Sequence, residues 1–140
     1  LALNGAAIPL MQRFIGNLWP AMLWLAGIFL LTLLPGSYFP QVTDFWSLFS
    51  PDKLIHIVLF AGLGLLLLVG LRKQYPAAAE RYIYGIVAGA SVLIAILTEL
   101  LQWYLPIKRD GNVYDTLADM AGILVGFLFF YILQIKIAKK

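Results

Sequence analysis

The sequence predicts an all-α fold: an integral membrane four-helix bundle with short loops. Three observations predict it. The 140-residue chain is 62% hydrophobic and only 12% charged, with a mean hydropathy of +0.89, whereas soluble domains are nearer half apolar and a quarter charged. Its apolar residues gather into four runs, each long enough, at ~1.5 Å rise per residue, to cross most or all of a bilayer's hydrocarbon layer. The links between the runs are short and carry the Pro, Gly and charge that end helices. These runs leave almost nothing for a soluble domain.

Helices are expected near residues 17–34, 52–71, 81–104 and 115–134. Residues 1–10, which precede Met11, read as a tag or vector scar, and residues 11–140 as a single membrane domain. The first run, Leu18 to Leu34, stops at Pro35-Gly36. Trp19 and Trp24 lie toward its start, where interface aromatics belong, and Pro20 is expected in its first turn. The following link carries Phe39, Phe45, Trp46 and Phe49, which suit the bilayer interface.

Ser50-Pro51-Asp52 then opens the second helix, with Ser50 as N-cap, Pro51 in the first position and Asp52 complementing the dipole. Asp52, His56, Phe60 and Gly64 recur every four residues and share a face. The third run, Tyr82 to Tyr104, carries a small-residue surface at Gly85 and Gly89, with Glu99 and Gln102 near its far end, and Pro106 stops it. The fourth begins near Asp115 and holds Asp119 one turn on, then the pair Gly122 and Gly126, a GxxxG packing signal.

Charge sets orientation. Arg13, the link with Arg72, Lys73 and Arg81, and the tail with Lys136, Lys139 and Lys140 all fall on one side of a four-span topology. The positive-inside bias makes that side cytoplasmic, with both termini inside, against a minority vote from Lys108 and Arg109. The basic balance does not point to nucleic acid, because the cations flank apolar runs rather than alternate with aromatics. With no Cys there are no disulfides or thiolate sites, and a lone His56 rules out a two-histidine metal motif.

With this topology Asp52, Lys53, His56, Glu99, Gln102, Lys108, Arg109, Asp115 and Asp119 all lie toward the outer face. Carboxylates in a membrane helix cost a few kcal/mol, so they mark candidate sites. Glu99 stands seven residues before Pro106, roughly 10 Å inside the helix end. The candidate acid–base residues are Glu99, Asp115 and His56. The candidate binding residues are Arg109, Lys53, Gln102, Asp52 and Asp119, the two cations suiting an anionic group. Plainer roles stand beside these: His56 bonding Asp52, Asp115 as an N-cap, the whole cluster as helix packing. No spacing matches a metal loop, so no metal ligands are assigned, and none dictates a cofactor.

Asp52-Lys53-x-x-His56-x-x-x-Phe60 and Glu99-x-x-Gln102-x-x-x-Pro106, followed by Arg109 and Asp115-x-x-x-Asp119-x-x-Gly122-x-x-x-Gly126, resemble the VanZ-like family of small bacterial membrane proteins. The resemblance covers nearly all of the chain after Met11. The family usually has Asn where this chain has Asp119. Its arginine usually stands nearer the proline, where this chain has Lys108, while Arg109 keeps the usual distance to Asp115. The resemblance implies a multi-pass protein of the bacterial inner membrane, in a family with members linked to reduced teicoplanin susceptibility. The expected function is binding or modifying an amphipathic, anionic envelope molecule, a lipid-linked precursor or a lipoglycopeptide, in an outward-facing polar cavity, with membrane lipid as the other partner. A non-enzymatic scaffold or small transporter subunit is the alternative. Whether a reaction is catalysed, and the oligomeric state, stay open.

Overall fold

A computed structural model describes residues 9–35, 51–106 and 113–138. They form α1 (Leu10–Thr32), α2 (Pro51–Gln74), α3 (Glu80–Tyr104) and α4 (Val113–Ala138), with no strand among the described residues. All four helices are long and apolar enough to cross a membrane. The interface aromatics expected between residues 36 and 50, the Ser50 cap, and Lys108 and Arg109 lie outside the described residues.

The outer two helices run further than their apolar stretches. α1 begins at Leu10, about two turns before the expected start, and α4 begins at Val113 and continues to Ala138. Apolar runs mark what lipid tolerates, whereas helix ends are set by backbone hydrogen bonding, which polar residues such as Arg13 and Asn17 also sustain. Two expectations are corrected as a result. Pro20 lies inside α1 rather than in its first turn. Asp115 is inside the first turn of α4, past the cap position. The expected start of α2 at Pro51, with Asp52 in its first turn, matches.

α2 is the organising helix. It packs most extensively on α4 and also on α1 and α3, while α1 and α3 barely touch. Between membrane helices there is little hydrophobic driving force, so close backbone approach and polar contacts do much of the work. At the α2–α4 seam a Cβ on Gly122 would collide with the Ile57 carbonyl oxygen, and one on Gly126 with that of Ala61. Both pairs advance together along the chain, so α2 and α4 run parallel. A Cβ on Gly64 would stand 3.6–3.7 Å from the Ile123 backbone on the same seam.

α1 lies antiparallel on the other side of α2. Trp24 Nε1 donates to the Leu59 carbonyl at 2.7 Å, and the indole packs over Gly62. Trp24 is therefore a packing residue in mid-helix, not the interface anchor expected from its place in the apolar run. Buried indole N–H groups seek a partner, and here the carbonyl of a neighbouring helix supplies it. At the far end Gly70 faces the Asn17 carbonyl and Leu18, and Asn17 Nδ2 donates to Gln74 Oε1 at 2.8 Å. The core holds Ile28, Phe60, Leu63 and Ala95 in one cluster and Leu68, Ile83 and Val87 in a second. Gly85 and Gly89 do not serve as the expected packing surface: among the described residues nothing lies within 4 Å of a Cβ at either. Their face of α3 is turned away from the bundle.

Candidate functional site

The ends of α1 and α3 and the beginnings of α2 and α4 meet at one end of the bundle, and the polar residues collect there. The face Asp52, His56, Phe60 and Gly64 does point inward: His56 and Phe60 are 1% and 0% exposed. The glycine seam sets the level of α4 against α2. With Gly122 seated at Ile57, Asp119 stands one turn nearer the helix start, beside His56. His56 Nδ1 and Asp119 Oδ1 are 2.9 Å apart, both fully buried. If the carboxylate is ionised, it accepts from an N–H on Nδ1. The partner of His56 is thus Asp119 on another helix, not Asp52 one turn away, because the buried face of α2 looks toward α4.

One turn further out, Lys53 Nζ approaches Asp115 Oδ1 at 4.0 Å, both side chains mostly buried. A ligand atom of Asp52, of His56 and of Asp115 fall within 4.8 Å of one another, and so do a set from His56, Glu99 and Asp119. His56 therefore joins an outer acidic layer to an inner one. Glu99, half-buried on α3, closes the inner layer, which makes three helices contribute to it. The first turns of α2 and α4 are positive dipole ends, and Asp52 and Asp115 stand on them.

Gln102 has a different engagement. Its Nε2 donates to the Thr32 carbonyl at 2.8 Å, tying the end of α3 to the end of α1. Carbonyls in a last helical turn lack an intrahelical donor, and this amide supplies one. Two neighbouring residues were not singled out by sequence reasoning. Thr32 is buried, with its hydroxyl donating to Ile28 O at 2.7 Å, and Thr98 is buried with its hydroxyl on Ala95 O at 2.8 Å. The signal was available: Ser91, Thr98 and Gln102 recur at helical spacing on one face of an otherwise apolar helix, and all three are buried.

Two grooves lined by described residues lie apart from the polar layers. One of about 420 Å³ runs between α2 and α4 at the opposite end, lined by Val69, Arg72, Phe130 and Ile137. Another of about 470 Å³ opens between α1 and α2 beside Trp19, Leu23 and Gly27. The polar residues of α2 and α4 are packed against one another.

The fold and this cluster define a class: a multi-pass membrane protein with four apolar helices and a buried, ionisable centre shared by three of them. A family model described as VanZ/LLP1 matches residues 10–134, and the chain belongs to that family. Neither curated proteins nor solved structures give a match.

Proposed function

We propose that this protein sits in the bacterial inner membrane with both termini cytoplasmic, and that its polar end faces outward. There it binds or modifies an amphipathic, anionic envelope molecule, a lipid-linked precursor or a lipoglycopeptide such as teicoplanin. The observation that carries the reading is the burial of His56, Asp119 and Asp115 beside Glu99, within helices that otherwise suit lipid. Buried ionisable groups in a membrane segment are expensive, and those of the described residues, His56, Asp115 and Asp119, stand at one end of the bundle. In this reading Glu99, Asp115 and His56 supply acid–base or hydrogen-bonding chemistry. Lys53 and Arg109 hold the anionic group, Asp52 and Asp119 bind donor groups of the same molecule, and Gln102 fixes the end of α3 through Thr32.

The test is Glu99→Gln, which keeps shape and hydrogen bonding but cannot ionise. The expected outcome is a folded protein that no longer alters susceptibility to envelope-directed glycopeptides in cells. A stable and fully active Glu99→Gln protein would refute acid–base work at this residue and favour the scaffold reading, in which the cluster only joins helices. Orientation is checked by cysteine labelling from outside. A cysteine at Ser37 or Asn112 should be reached and one at Tyr75 should not, and the reverse pattern would move the site to the cytoplasm. Tyr75 is 45% exposed, so a failure to label there reports sidedness rather than burial.

A further inference from the structure

We infer that His56, Glu99 and Asp119 form a binding site for a divalent cation of the zinc class. The inference deepens the reading of this cluster as the functional centre. Its test uses metal alone, so either can fail without the other.

The donor set comes first. One atom each from an imidazole and two carboxylates fall within 4.8 Å of one another. Ligands around a tetrahedral ion at ~2.1 Å lie ~3.4 Å apart, so side-chain movements of up to about 1 Å close the set. The 2.9 Å spacing of His56 Nδ1 and Asp119 Oδ1 already suits neighbouring ligands. Without metal, that contact needs a proton between the two atoms. A cation takes the proton's place, and binding releases it.

Burial supplies the independent observation. Asp119 Oδ2 is buried and has no hydrogen-bond partner among the described residues, so this carboxylate keeps an oxygen available to a cation. His56 is 1% exposed and Asp119 0% exposed. Such an oxygen carries a desolvation penalty until something pairs with it. Charge points the same way. Lys53 stands in the outer layer at Asp115, and the partner of Asp119 among the described residues is His56. The Asp119 carboxylate beside a neutral imidazole carries negative charge, and a divalent ion offsets it in a medium where charge is costly.

The donors select the ion. Calcium asks for six or more oxygens and magnesium for octahedral oxygen and water. One imidazole nitrogen with two carboxylate oxygens fits zinc, with a fourth position open to water or a ligand. No spacing in the sequence could reveal this, because the three ligands lie on α2, α3 and α4 and are separated by 43 and 20 residues.

The experiment uses the full chain in detergent, freed of any polyhistidine tag, stripped with chelator and titrated with Zn²⁺, with Mg²⁺ in parallel. We expect close to one Zn²⁺ per chain, a raised melting temperature, and much weaker Mg²⁺ binding. Glu99→Gln and Asp119→Asn keep side-chain shape, and each should weaken Zn²⁺ by at least ~10-fold and abolish the thermal shift. Uptake by the native chain no greater than by these variants would overturn the site. So would loss in Asp115→Asn but not in Glu99→Gln, which would put the ion in the outer layer. Should the variants not fold, Co²⁺ bound to the native chain reads the ligands by X-ray absorption. One imidazole among oxygens is expected, and an oxygen-only shell would overturn the assignment.

Discussion

Replacing Gly122 with alanine adds one methyl group where α4 has no room for it. The new Cβ would press on the Ile57 carbonyl oxygen and stand 3.1 Å from both Ala61 N and Ile57 C. Carbon prefers heavy-atom neighbours at ~3.5–4.0 Å, and these neighbours are backbone atoms that cannot rotate aside. α4 must retreat from α2, by on the order of 1 Å. Overpacking of this kind costs about 1–3 kcal/mol, which is roughly a 5- to 150-fold shift in the folding equilibrium. The same retreat opens the His56–Asp119 contact from 2.9 Å to nearly 4 Å, beyond hydrogen-bond reach. One methyl group therefore lowers stability and unmakes the polar pair together. Gly85→Ala is the matched control, since among the described residues nothing lies within 4 Å of its Cβ and alanine is the better helix former by ~1 kcal/mol. It should be neutral or stabilising. Unfolding in detergent micelles, followed by helicity, measures both. A Gly122→Ala protein as stable as the native chain, or a Gly85→Ala protein as damaged as Gly122→Ala, would refute the packing argument.

Two further substitutions probe the polar contacts. Asp119→Leu leaves His56 Nδ1 buried without its partner and should cost about 1–3 kcal/mol in the same assay, while Asp119→Asn, which can still accept from Nδ1, should cost less. Equal losses would show that hydrogen bonding at this position contributes nothing. Trp24→Phe removes the N–H bonded to Leu59 O but keeps most of the ring's packing. A loss of about 0.5–1.5 kcal/mol is expected, and no loss would demote the indole to a space filler.

The helices were legible because lipid imposes one strong rule: long apolar runs that satisfy their own backbone hydrogen bonds. The inner helix boundaries followed from Pro51, Arg72 and Lys73, and Pro106. The outer ones did not, because Arg13 and Asn17 at one end and Gln134 at the other interrupt hydropathy without interrupting a helix. Glycine pairs were harder. Gly85 and Gly89 have the same spacing as Gly122 and Gly126, yet only the second pair is spent on a neighbour. A spacing says that close approach is allowed, and the rest of the helix face decides whether it happens. On α4 that face also carries Asp115 and Asp119, whose burial requires a polar partner across the seam. On α3 the buried face is the one with Ser91, Thr98 and Gln102. The gathering of ionisable residues at one end was legible from topology. Their pairing was not, because His56 and Asp119 are 63 residues apart and depend on how far α4 slides along α2.

That register has an electrostatic consequence. Parallel α2 and α4 place two positive helix ends side by side, and like poles repel unless negative charge stands near them. Asp52 and Asp115 in the first turns supply it. The bundle thus satisfies its own anion-attracting ends, and further in it adds Glu99 and Asp119. The anionic envelope molecule proposed as ligand would meet carboxylates as well as dipoles at this end. Lys53 is turned toward Asp115, so more positive charge is needed for such a molecule to stay. Arg109, from the neighbouring link, is one source, and a cation held by His56, Glu99 and Asp119 is another. If the ion supplies it, Glu99→Gln and metal removal should abolish function alike, and adding Zn²⁺ back should restore only the native chain. If Arg109 suffices, metal removal should leave function intact while Glu99→Gln still fails. That pair of results would separate the anion-binding role of this end from the metal at its centre.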